Sequence, residues 1–277
     1  MIIPILGRRN AIAYLLWQWL LWGRGAYTAW LDAYFFGASR GFNDYDSLAT
    51  PYRSSDAKPD KRFSILPTVM RLVGPCEGKD VMDVGCGSGF FTTHIAECGA
   101  RRVIGLDNSH EQLRLASLHS SHPHVEYLYA DVFVDALPKV DVVVAPFVAN
   151  YARTTPILRH LLQQFHTALV AGGKLVLVVD LPNGRAHQRF GAVKVIEGKV
   201  QDGATLSIHL YKGREICVLR ATYFTPFTIE RLLREVGFRS ISWHKPIVSE
   251  EGIQAMNDGF WDGYTDDPEL GYITAIK

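Results

Sequence analysis

Apolar and polar positions along this chain fall into two rhythms with a change near residue 180. From Lys79 onward, short apolar runs alternate with segments whose apolar residues recur at helical spacing. The runs at 81–84, 102–106, 125–129, 140–145 and 174–179 predict buried strands, and 90–98, 111–118 and 155–170 predict helices between them. Near-continuous apolar strands joined by helices predict an α/β fold with a parallel sheet covered on both faces. Past residue 182 the period drops to two. Segments 193–200, 205–211 and 216–223, separated by Asp202-Gly203 and Lys212-Gly213, predict a small antiparallel β insertion. Helical spacing returns at 228–236 with Gly237 as its cap, and 241–244 and 273–276 predict two last strands.

Upstream of this region the pattern differs. Residues 11–37 carry only two formal charges, Arg24 and Asp32, and four of the six tryptophans lie within the first 30 residues. The apolar run is interrupted at Gln18 and is too short for a span of about 20 residues. Bulky aromatics without a small-residue cleavage site speak against a signal peptide. Three readings remain open: helices packed on the main domain, an aromatic lid over a site, and a membrane-surface anchor. Residues 43–61, polar and carrying Pro51 and Pro59, read as a linker, and 63–73 as a helix.

Composition adds limits. The 277 residues are 48% hydrophobic and 21% charged, which fits a folded globular chain rather than a disordered one. A formal net charge of +1 argues against a dedicated nucleic-acid binder. Cys76, Cys86, Cys98 and Cys217 show no metal-type spacing and read as reduced thiols of a cytoplasmic protein. No metal site is expected; the histidines at 119, 122 and 124 cluster on a loop, and His187 and His209 are weak general-base candidates.

The candidate chemistry begins at Val81-Met82-Asp83-Val84-Gly85-Cys86-Gly87-Ser88-Gly89. A buried strand, a glycine turn and a helix start in this order make a nucleotide-type site. Phe90 stands where a dinucleotide fingerprint needs its third glycine, and no Gly-Lys-Ser/Thr follows, so dinucleotide and P-loop readings fail. Asp107 ends the second strand about 20 residues later, where an acid accepts from ribose hydroxyls. Asp131 ends the third.

Together these residues resemble motif I, the ribose acid and the adenine segment of class I S-adenosylmethionine-dependent methyltransferases, and Gly172-Gly173-Lys174 also matches. The resemblance implies a Rossmann-like fold with a mostly parallel seven-stranded sheet, helices on both faces, an N-terminal helical aromatic cap and the β insertion. It divides the chain into a cap and linker at 1–62 and a cofactor-binding domain at 63–277, with the insertion at 183–223. It implies S-adenosylmethionine as ligand, held by Asp83, Gly85, Cys86, Gly87, Gly89, Asp107, Asn108, Gln112, Asp131, Val132 and Phe147. Tyr45 or Tyr52 would cover the sulfonium, whose charge aromatic faces stabilise by roughly 0.5–2 kcal/mol each. Asn150, Tyr151 and Tyr45 would meet the reacting group.

A narrower likeness lies in Val148-Ala149-Asn150-Tyr151-Ala152, Tyr45-Asp46, Pro246-Ile247-Val248-Ser249-Glu250-Glu251-Gly252 and Phe260-Trp261. These look like toxoflavin-synthase-type small-molecule methyltransferases and the similar azetidine-2-carboxylate synthases. The expectation is N- or O-methylation of a small molecule, with no nucleic acid and no stable membrane insertion. The alternatives are a cyclase for which S-adenosylmethionine is itself the substrate, and a non-catalytic interaction protein that binds it.

Overall fold

The computed structural model describes residues 42–182 and 185–277. The aromatic segment read as a cap, lid or anchor lies outside the described residues, as does the break at Asn183-Gly184.

The strands are β1 Asp80–Val84, β2 Arg102–Asp107, β3 Val125–Tyr129, β4 Val140–Pro146, β5 Leu169–Asp180, β6 Ala192–Ile196, β7 Thr205–Lys212, β8 Arg214–Thr222, β9 Arg239–His244 and β10 Leu270–Ile276. Seven form one sheet in the order β3-β2-β1-β4-β5-β10-β9. The first five run parallel, and β10 inserts antiparallel to both its neighbours. The chain order reverses beside β1, so the carboxyl ends of β1 and β4 flank a topological switch point, where open α/β sheets bind ligands.

Alternating residues of these strands divide between two cores. Val81, Val103, Val142, Val144, Val176 and Val178 pack on one face against Val69 and Val73 of α2 Leu66–Val73 and against Phe91 and Ile95 of α3 Phe90–Glu97. Met82, Val84, Ile104, Leu106, Val143, Leu175 and Leu177 face the other way. They meet α5 Thr155–Ala168 and α6 Pro226–Glu235. In α5 the buried residues 157, 158, 161, 162, 165 and 168 form one stripe, and Thr154 caps the start through Ile157 N–H. Each such large apolar side chain contributes about 1.5–3 kcal/mol by burial.

The 43–61 stretch is not an irregular linker. Asp44 caps α1 Tyr45–Arg53 by accepting from the N–H groups of Asp46 and Ser47, and a 3-10 turn Ser54–Ala57 follows. A π turn, Lys61–Ile65, then runs directly into α2. Composition hid α1 because its polar residues face solvent or other polar groups. Its apolar contact is made by Tyr45, Leu48 and Tyr52 against the second sheet, β6-β7-β8. Residues seven apart share a helix face, so Tyr45 and Tyr52 point the same way. The short helices α4 His110–His119 and α7 Glu250–Ala255 complete the fold; α7 had no periodic signal. Among the described residues, no helix is long and apolar enough to cross a membrane.

Candidate active site

A cavity of about 370 Å³ lies over the carboxyl ends of β1, β2 and β4. Its floor is the glycine turn. Gly85 and Gly87 have φ of 66° and 55°, a backbone region that side chains rarely adopt. At Gly85 a Cβ would also stand 2.7 Å from Val148 Cγ2. Asp107 holds this turn in place. Its Oδ2 accepts from Gly87 N–H at 2.8 Å and its Oδ1 from Ser109 N–H at 2.9 Å. Burial raises its pKa above the ordinary carboxylate value.

Gln112 reaches the cavity from α4, 1% exposed, and neither end of its amide has a partner among the described residues. Buried amides are almost always paired, which makes this one a candidate contact for a polar ligand. Asn108, Asp131, Val132 and Phe133 line the same side. At the mouth His110 and Tyr129 stack with centroids 4.1 Å apart.

The opposite end is aromatic. Tyr45 and Tyr52 meet edge to face at 5.3 Å, and Tyr45 meets Tyr151 at 5.9 Å. The Tyr45 and Tyr151 hydroxyls are hydrogen-bonded to each other. Burial pushes both phenols well above their usual pKa, so both stay neutral and neither serves as a base near neutral pH. Phe147, at the end of β4, has φ of 68° and turns into the cavity. Such backbone strain concentrates at ligand sites.

Two anchors fix α1 as the side wall. Asn43 exchanges two hydrogen bonds of 2.9 Å with the Arg220 backbone in β8. Asp46 accepts from Ser109 Oγ at 2.6 Å and from Glu111 N–H at 3.1 Å. The Ser109 bond is the main reason its carboxyl sits below the usual range.

Residues 81–173, which contain the glycine turn and the strand-end acids, match the methyltransferase domain family. Over this part of the chain the sequence is similar to a methyltransferase domain, and the fold is the one shared by S-adenosylmethionine-dependent methyltransferases. The methyltransferase fold recurs in a solved S-adenosylmethionine-dependent methyltransferase from Mesorhizobium loti, with a TM-score of 0.57 at 20% identity, covering 80% of this chain and all of that one. Among curated proteins, a tRNA U34 carboxymethyltransferase of Vibrio atlanticus is 28% identical over 200 residues, covering 69% of this chain and 54% of the relative. A ubiquinone biosynthesis O-methyltransferase of Ralstonia nicotianae is 43% identical over 68 residues, covering 24% and 28%. The match thus spans about half or less of the length of these relatives.

Of the residues singled out in the sequence, the structure brings these together around the cavity: Tyr45, Tyr52, Gly85, Gly87, Asp107, Asn108, Gln112, Asp131, Val132, Phe147 and Tyr151. Others do not. Asn150 was expected to meet the reacting group, but it is 2% exposed and its amide is engaged by backbone. Nδ2 donates to the carbonyls of Thr222 at 2.9 Å and Asp180 at 3.4 Å, and Oδ1 accepts from Asp180 N–H at 2.8 Å. Its role is to tie β5 to β8. Cys86 lies beneath the turn, not in the cavity; its N–H donates to Leu106 O, and burial pushes its thiol up. Gly89 also faces away. A Cβ there would stand 2.3 Å from Tyr127 Oη and 2.6 Å from Ser120 Cβ, at a φ of 85°. Gly89→Ala is therefore expected to destabilise the fold by about 2–4 kcal/mol in urea denaturation; unchanged stability would overturn this packing role.

Asp83 is fully buried below the cavity. Its Oδ2 accepts from Thr92 Oγ1 at 2.6 Å, its Oδ1 has no partner among the described residues, and burial pushes its pKa to about 7. With the folded value above the unfolded one, the folded state binds the proton more tightly, so Asp83 subtracts stability as pH rises from about 4 to about 7. Asp83→Asn keeps an acceptor for Thr92 and removes the titration. Calorimetry should show its thermal midpoint varying less over this pH window than the wild type's, whereas parallel profiles would count against the assignment.

His187 is buried among Phe190 and Tyr264, and His209 pairs with Glu215; neither lines the cavity. The residues that sequence reasoning missed are Ser109, His110, Tyr129 and Phe133, together with the anchoring role of Asp46. Only Ser109 carried a signal, as a helix cap directly after Asp107-Asn108.

Proposed function

We propose that this protein is an S-adenosylmethionine-dependent transferase that acts on a small molecule. The observation that carries the reading is the buried Gln112 amide, unpartnered among the described residues, facing a cavity whose floor admits no side chain at Gly85. The residues present fit the ligand. Asp107 would accept from the ribose hydroxyls with the lone pairs left by Gly87 and Ser109. Gln112, Asn108 and Asp131 would meet the adenosine, with Val132 and Phe133 against the base. When bound, S-adenosylmethionine supplies an electrophilic carbon on a sulfonium for in-line displacement. Tyr45, Tyr52 and Tyr151 would face that cation and exclude water. Two neutral phenols cannot take a proton from a phenol or acid acceptor at neutral pH, so the site favours an acceptor that reaches it as a free amine or already ionised.

A small acceptor is favoured because, among the described residues, the tyrosine end adjoins an inner chamber of about 50 Å³. The name of the Vibrio relative raises tRNA as a competing acceptor, and net charge alone does not rule against it. Mass spectrometry after incubation with S-adenosylmethionine separates the readings. Adenosylhomocysteine formed only when a small acceptor is added supports methyl transfer. Methylthioadenosine and azetidine-2-carboxylate formed without any acceptor would establish the cyclase instead. Product found only with tRNA would move the substrate to nucleic acid, and tight binding without any product would leave a non-catalytic binding protein.

A further inference from the structure

The chamber behind the tyrosines is lined by charge. Tyr52, Phe147 and Tyr151 border both it and the larger cavity. Lys58, Asp60, Lys61, Asp180, Lys194 and Glu269 line it, and none is more than 6% exposed. They arrive from separate places: the segment between α1 and α2, the carboxyl end of β5, strand β6, and the residue preceding β10. Lys58 pairs with Asp60 at 3.1 Å, Lys61 with Asp56 at 2.5 Å, and Lys194 with Asp180 at 2.8 Å and Glu269 at 3.4 Å.

Taking this many ions out of water costs stability, and apolar packing would hold the two sheets together at least as well. Ionisable groups gathered around a cavity mark a candidate functional site. Lys58 and Lys61 use only part of their bonding capacity among the described residues. Lys58 gives hydrogens to Asp60 and to the Gly191 carbonyl at 3.1 Å, which leaves one of its three. Lys61 donates to Asp56 and otherwise faces the rings of Tyr52, Phe90 and Phe91 at 4.7–5.9 Å. Asp180 turns Oδ1 to Lys194. The chamber's lining thus presents both signs in equal number. Such a field selects neither a lone cation nor a lone anion; it suits a group that carries both. The volume of about 50 Å³ is several times the roughly 10–15 Å³ needed to hold one water, room for a small head of a few heavy atoms.

We propose that this chamber holds the zwitterionic head of an amino-acid-type acceptor, with its carboxylate toward Lys58 and Lys61 and its ammonium toward Asp180. The assignment deepens the transferase reading and rests on it, because the tyrosine border places the chamber next to the sulfonium end of the cofactor cavity.

Calorimetry with the full chain tests it. Adenosylhomocysteine is titrated first; failure to bind would sink the transferase reading separately. Glycine, methylamine and acetate are then titrated into both the free and the adenosylhomocysteine-loaded protein. Glycine should bind at least tenfold more tightly than either singly charged analogue. Equal binding of all three, or no binding of glycine to either form, overturns the proposal. Lys58→Met should weaken glycine at least tenfold while leaving adenosylhomocysteine affinity within about twofold; glycine affinity that survives the substitution also overturns it. Should this variant fail to fold, the discrimination among the three probes on the wild type decides.

Discussion

Replacing Asp107 with alanine is expected to weaken adenosylhomocysteine binding about 100-fold in calorimetry, equivalent to about 2.7 kcal/mol. Two effects combine. The ribose would lose a charged acceptor, and hydrogen bonds to charged groups contribute about 1.5–3 kcal/mol each. The glycine turn would also lose its anchor, because the Asp107 carboxylate joins Gly87 N–H to the start of α4 through Ser109. Asp107→Asn separates the two. It keeps the shape, but its amide nitrogen must face one of the two N–H donors, so an intermediate loss of about tenfold is expected. Unchanged affinity in the alanine variant would remove the cofactor from this cavity.

The second large effect falls on stability. Asn150→Ala should destabilise the fold by about 3–5 kcal/mol, because it strips partners from the Asp180 N–H and from the Thr222 carbonyl in a buried position. For a chain of this size the thermal midpoint should fall by about 10 °C. Adenosylhomocysteine affinity and turnover per folded molecule should stay near the wild-type values at a temperature where the variant is folded. The opposite pattern, an unchanged midpoint with turnover reduced more than about 100-fold, would restore Asn150 to the reaction centre. Tyr151, one residue on, lines the cavity instead, so adjacent residues of one 3-10 turn serve different ends.

What could be read in advance depended on how local its cause was. The strand–turn–helix at residues 81–97 was legible because each part follows from nearby chemistry: an apolar run, glycines free to adopt positive φ, and then helical spacing. Asp107 and Gln112 were legible for a similar reason, since a strand end and the next helix's first turn lie a fixed distance from the turn. Helix α1 was not legible. Asp46 within it and Asn43 just before it gain their partners from Ser109 and Arg220, 63 and 177 positions away. The charged chamber also had no linear signature, because Lys58, Asp180, Lys194 and Glu269 meet only when the second sheet lies against the first.

The sequence by itself determined the parallel α/β core, the antiparallel insertion and the glycine turn with its strand-end acids, because periodicity and turn chemistry act over a few residues. Only the tertiary structure decided which side chains of the expected set line the cavity. Cys86, Gly89 and Asn150 were expected at the site, but strand register and packing turn them into the protein, while the same packing brings Tyr45, Tyr52 and Tyr151 together at one end of the cavity.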